Sequence, residues 1–184
     1  MIADRFRLED LLDEHSGARF WRATDLALAR NVAVHVLPSE DPRAAAALEG
    51  ARRSATVTDP HVLRVLDAIQ EQDHLNVVHE WGSGVSLDRM LQEGPLDPRK
   101  AAWLVREVAE ALVAAHRLGV AHGRLIPENV MLTDLGAVKL IGFVVDGVLH
   151  GAADPGPHDP GGDVRNLVAL LYAGLTGRWP GSPA

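Results

Sequence analysis

An α+β fold in two lobes, small and β-rich first, mainly helical second, is what this sequence predicts, and three observations predict it. Before residue 83 the apolar residues come in short alternating runs with one helical stretch among them; after it they recur mostly at helical spacing. Gly82, Ser83 and Gly84 punctuate the chain where the pattern changes, as a hinge would. At 184 residues and 47% apolar content with no cysteine, the chain is long enough to build a core without disulfides or metal staples. Residues 1–82 form the first lobe in this reading and residues 83–184 the second, with no internal repeat.

The elements follow in order. Residues 30–37 alternate, with Val32, Val34 and Val36 on one face and Ala33, His35 and Leu37 on the other, so a half-buried strand carries an inward- or cleft-facing histidine. Asp41 and Pro42 read as an N-cap and first-turn proline for an alanine-rich helix to about residue 57. Residues 62–66 and 75–80 read as strands around a polar turn. Ser86 caps a short helix to about residue 91. Asp97 and Pro98 open the clearest helix, with Ala101, Leu104, Val105, Val108, Leu112 and Ala115 on one stripe and Gly119 as its stop. Two short strands, 130–133 and 138–141, flank a turn. Residues 147–162 hold five Gly and three Pro and read as an irregular, mobile surface loop, after which Asp163 caps a last helix to about residue 175.

Composition excludes several classes. With 25 acidic against 18 basic residues the formal charge is −7, which argues against nucleic acid as a partner. No run approaches the roughly 18 apolar residues of a spanning helix, and the N-terminus lacks a signal peptide's apolar centre. A cytoplasmic location is expected, with any membrane link supplied by sequence outside this chain. His150, Asp154, His158, Asp159 and Asp163 have no fixed metal-ligand spacing, so no metal site is expected.

The motifs point further. His122-Gly-Arg-Leu-Ile-Pro-Glu-Asn129 resembles the protein kinase catalytic loop H-R-D-L-K-P-E-N, Val138-Lys-Leu-Ile-Gly-Phe-Val144 resembles V-K-L-x-D-F-G, and Val32-Ala-Val-His35 resembles V-A-I-K. Asp59-Pro60-His61, the hinge Glu80-Trp81 and Asp163-Val164 look like bacterial serine/threonine kinases. The resemblance implies a two-lobed protein kinase-like fold with a small β-rich N-lobe and a truncated, mainly helical C-lobe. Phe20-Trp-Arg-Ala-Thr-Asp-Leu-Ala-Leu28, Val65-Leu-Asp67, Asp163-Val-Arg165, Leu171-Tyr172 and Arg178-Trp179-Pro180 narrow it. They look like the intracellular pseudokinase domain of actinobacterial MviN-type proteins, membrane proteins implicated in flipping lipid-linked peptidoglycan precursor.

His122, Asn129, Phe143 and Asp163 match the family pattern, and Asn129 and Asp163 would hold the fold. Elsewhere the sequence departs from it. Residues 13–20, the loop between the first strands, carry one glycine where the family has three. His35 stands at the lysine position, and a histidine of ordinary pKa about 6.5 is mostly neutral at pH 7. Gly50 falls at or beside that lysine's helix partner, with Glu49 one place off. Arg124 stands at the catalytic aspartate, Ile126 at the catalytic-loop lysine and Gly142 at the metal-binding aspartate. These departures predict a domain that is no enzyme, binds no cofactor and docks protein partners. The alternatives are a residual nucleotide-binding sensor or an unorthodox ATP-dependent serine/threonine kinase. The resemblance names a forkhead-associated domain protein and an active Ser/Thr kinase as partners. Arg124 is expected to fill the vacated site by pairing with a nearby carboxylate, rather than to bind an anion.

Overall fold

The computed structural model describes residues 1–150 and 160–180. Strands β1 (Phe6–His15), β2 (Ala18–Asp25) and β3 (Arg30–Pro38) form an antiparallel meander, followed by helix α1 (Ala44–Ser54) and strands β4 (Val65–Gln70) and β5 (His74–Glu80). The sheet runs β1-β2-β3-β5-β4. Its two faces follow the alternation of β3: Val32, Val34 and Val36 join Phe6, Ala23 and Val78 in one cluster, while Leu37 faces α1 and the main core.

A second sheet joins β6 (Gly84–Ser86) to strands β7 (Val130–Thr133) and β8 (Val138–Leu140), with helices α2 (Leu87–Gln92) and α3 (Pro98–Arg117) between them in sequence. Helix α4 (Val145–Leu149) and helix α5 (Pro160–Thr176) complete the described chain. Asp97 caps α3 by accepting from the amides of Arg99 and Lys100. The stripe Ala101, Leu104, Val108, Leu112 and Ala115 is buried, as its spacing requires.

Several boundaries differ from the sequence reading, each for a local reason. Residues 13–20 are not an open loop. The strands continue into them, Asp13 opposite Phe20 and His15 opposite Ala18, and only Ser16 and Gly17 turn, both at positive φ (48° and 82°). Positive φ at both central residues is the hairpin turn that matches strand twist. Asp41 does not cap α1. Arg43 holds the N-cap position, and Asp41 binds that residue's amide and guanidinium instead. Gly84 belongs to a strand, its missing side chain admitting the β7 backbone: a Cβ there would lie 2.2 Å from the Leu132 carbonyl oxygen. The stretch at 62–66 becomes strand only from Val65; Val62 makes one parallel bridge to Leu140.

Residues 145–149 are helical and wholly buried, where the composition of 147–162 suggested a surface loop. The remainder of that stretch, including Asp154, His158 and Asp159, lies outside the described residues. Helix α5 begins ahead of Asp163, so this carboxylate serves a neighbouring segment rather than its own helix end. No described helix is long and apolar enough to cross a membrane.

Candidate functional site: the cleft between the sheets

A cavity of about 580 Å³ opens between the two sheets, and of the motif residues His35, Arg124, Asn129 and Gly142 line it, while His122, Ile126, Phe143, Asp163 and Gly50 do not. Its upper wall is the face of β2, β3 and β5 that carries Phe20, Ala33, His35 and His79; its floor carries Arg124, Asn129, Met131, Gly142 and Asp146. This volume falls in the range of small-molecule sites.

The two histidines of the upper wall are neutral. His35 Nδ1 lies 3.0 Å from His79 Nε2, and the His35 ring stacks on Phe20 with centroids 4.3 Å apart. One ring must donate and the other accept, so both cannot be charged. Burial pushes His35 down to about 4, and burial together with the His35 neighbour pushes His79 down to about 3. At pH 7 the lysine position therefore carries no charge. Gly50 does not approach His35; it packs on α4, where a Cβ would sit 2.9 Å from Val144 Cγ1. Glu49 is exposed and faces Arg52.

The floor is built on residues 122–129. His122 is buried, its Nε2 3.0 Å from the Ile141 carbonyl oxygen and its ring against buried Phe143 at 4.5 Å. Asp163, buried on α5, accepts from the amides of His122 (2.7 Å) and Gly123 (3.1 Å) and pairs with His116 Nε2 (2.8 Å). This clamp fixes the loop's backbone. Leu125 plugs into the core and Ile126 is half-buried beside it. The turn Pro127–Asn129 then carries Asn129, which donates through Nδ2 to the Arg124 carbonyl at 2.9 Å.

Asp146 is the residue that motif reading missed. Its Oδ2 accepts from Arg124 Nη1 at 2.7 Å and from Asn129 Nδ2 at 2.6 Å, while Oδ1 lies 3.2 Å from His150 Nδ1. Burial alone would raise this carboxyl, but hydrogen bonds from His150, Asn129 and Arg124 outweigh it and hold the group well below the usual carboxylate range. His150 in turn is raised by Asp146 and stacks on His15 at 4.8 Å. Arg124 thus pairs with a carboxylate inside the site. The only signal in the sequence was spacing: Asp146 follows Gly142 by four residues, one helical turn, and Asp146 N donates to the Gly142 carbonyl at 3.0 Å.

The geometry at Gly142 says what Asp146 replaces. Gly142 sits at φ +80°, and a Cβ built there would lie 2.7 Å from Asp146 Cβ, 3.3 Å from its Cγ and 3.7 Å from Asn129 Nδ2. The space of a side chain at 142 is filled by the carboxylate of 146. The divalent ion that phosphoryl transfer requires takes carboxylate and amide oxygens; Asp146 and Asn129 carry one of each, with Asn129 turning its Nδ2 to Asp146 and Arg124 as the competing cation. Among the described residues no group of three or more His, Asp or Glu could hold a metal alone. Nucleotide phosphates and water would have to complete the shell.

Comparison with known proteins agrees with this architecture. The protein kinase domain family matches residues 22–154. The chain is 30% identical over 151 residues to the probable serine/threonine-protein kinase pknA2 of Bifidobacterium longum, covering 78% of this chain and 20% of that protein. It is 27% identical to serine/threonine-protein kinase PknB of Mycobacterium tuberculosis, covering 97% of this chain and 33% of that protein. PknL of the same organism is 29% identical, with 98% and 51% covered. The chain spans between a fifth and about half of these relatives' lengths. Their names overturn one expectation from the sequence, that the domain is no enzyme: the relatives are named as serine/threonine-protein kinases, and a carboxylate absent from position 142 stands in the same space on residue 146. From the matched span, the two sheets around one cleft and the loop at 122–129, the chain belongs to the protein kinase domain family.

Proposed function

We propose that this domain is a regulatory, partner-docking member of the kinase family, within a larger MviN-type protein that governs export of peptidoglycan precursor. The observation that carries the regulatory reading is Arg124 closed on Asp146 and Asn129, a site whose charges its own side chains satisfy. The cell-wall setting is supported by the sequence resemblance at residues 20–28, 65–67, 163–165, 171–172 and 178–180. The partners in this reading are an active Ser/Thr kinase and a forkhead-associated domain that reads a phosphothreonine. Calorimetric titration of the full-length protein with a purified forkhead-associated domain, before and after phosphorylation by the cognate kinase, tests it. Binding is expected only after phosphorylation, and no binding in either state sinks the docking reading.

A second reading, a nucleotide-binding sensor or unorthodox kinase, is favoured by the cavity and by Asp146. A bound divalent ion would neutralise and orient the phosphates there. This chain's residues would do the rest: the neutral His35–His79 wall covers an apolar ring, and the Asp163 clamp keeps the 122–129 backbone in place. Thermal-shift titration with ATP, with and without magnesium, tests this reading, since a ligand that binds the folded state must raise Tm.

A further inference from the structure

We propose that Asp146 is a relocated metal-ligating carboxylate, acting with Asn129 on a nucleotide-borne divalent cation, and that Arg124 is a built-in competitor for the same carboxylate. The inference deepens the nucleotide-binding reading and rests on it. Two residues divide a task usually given to one. Gly142 supplies empty space and a left-handed backbone turn at φ +80°; Asp146, one helical turn later, supplies the carboxylate that enters that space, with its Cβ 2.7 Å from where a Cβ at 142 would stand. The carboxylate is thereby delivered beside Asn129, whose Nδ2 is 2.6 Å from Asp146 Oδ2.

A purely structural role would be met differently, as Asp163 shows. That carboxylate pairs with His116 but is also held by two backbone amides, which cannot move without unfolding the loop. The side-chain oxygens of Asp146 are held by side chains: Arg124, Asn129 and His150, each lining the cavity. Such partners can swing away. Arg124 is 32% exposed and carries one positive charge, so a cation of double charge can take its place on the buried carboxylate while the guanidinium moves into solvent. The Arg124–Asp146 pair is in this view the cation-free state of the site, and binding of the ion releases the guanidinium towards the cleft mouth.

Electron paramagnetic resonance of manganese, titrated into the whole chain with ADP, reads this directly without any turnover. The unaltered chain should take up manganese with ADP. Asp146→Asn should weaken uptake by about tenfold or more, and Arg124→Ala should tighten it. The exchange Gly142→Asp with Asp146→Gly, which puts the carboxylate back on 142 in the same space, should keep uptake close to that of the unaltered chain; circular dichroism melts confirm that each variant is folded. Two results overturn the proposal: uptake that Asp146→Asn leaves unchanged, or no uptake by either the unaltered chain or Arg124→Ala. If ADP alone raises Tm while manganese uptake is missing in both, nucleotide binding stands and the Asp146 assignment falls. If ADP raises Tm in neither the presence nor the absence of manganese, both fall.

Discussion

Two buried carboxylates serve the loop at 122–129, and they serve it in opposite ways. Asp163 reaches it from α5 and binds backbone amides; Asp146 reaches it from α4 and binds side chains. The first contact is independent of which residues the loop carries, since every non-proline residue offers an amide. The second depends on them, since Arg124 and Asn129 must both be present. A family can therefore keep the first carboxylate while the second is moved, exchanged or neutralised by new neighbours. The contrast separates what holds the cleft from what acts in it.

The largest effect should come from breaking the backbone clamp. Asp163→Ala leaves the buried His122 amide, the Gly123 amide and His116 Nε2 without their acceptor and should cost about 3 kcal/mol, or a fall in Tm of roughly 10 °C. If thermal melts show that Asp146→Ala costs as much, the distinction between the two carboxylates fails. Next comes Gly142→Asp alone. It forces a side chain onto the Asp146 Cβ at a left-handed backbone position and adds a like charge, a penalty of about 2 kcal/mol by urea denaturation. Adding Asp146→Gly should recover much of that, and strict additivity of the two changes would show that they do not share one space.

A smaller effect sharpens the comparison between floor and upper wall. His35 and His79 are held neutral in the folded protein, with His35 near 4 against an ordinary value of about 6.5. Because their folded pKa values are lowered, the unfolded chain binds the extra protons. Their contribution is full above about pH 6.5 and is lost as pH falls towards 4. His150 runs the other way: raised by Asp146, it contributes at low pH and loses that contribution as pH climbs through its folded value. Melts between pH 7 and 5 should therefore show falling stability, and His79→Asn should flatten the slope; an unchanged slope would mean that the wall does not titrate as described. The smallest effect is a baseline. Arg106→Ala breaks only the exposed pairs of α3 with Glu107 and Glu110 and should change stability by less than about 0.5 kcal/mol.

Much of the fold was legible before any coordinates. The α3 stripe and its Asp97 cap and the alternation of β3 are local codes, written within one helix turn or one strand. The misread places are those where local composition competes with tertiary contact. Glycine and valine at 144–148 have weak helix propensity, yet burial of Val145, Val148 and Leu149 forms α4 regardless. The turn at Ser16 and Gly17 shortens a loop that one glycine alone left undefined. Asp146 and His79 went unread as site residues because neither belongs to a motif; each reaches the cleft through a partner 17 to 44 residues away.

By itself the amino-acid order pointed to the family and to an α+β fold with its β-rich part first, because periodicity and motif spacing are properties of neighbours along the chain. Only the tertiary structure decided what fills the space beside Gly142. Whether an empty position stays empty depends on volume and charge brought from elsewhere, and here α4 brings the Asp146 carboxylate into the space beside Gly142, where Arg124 and Asn129 receive it.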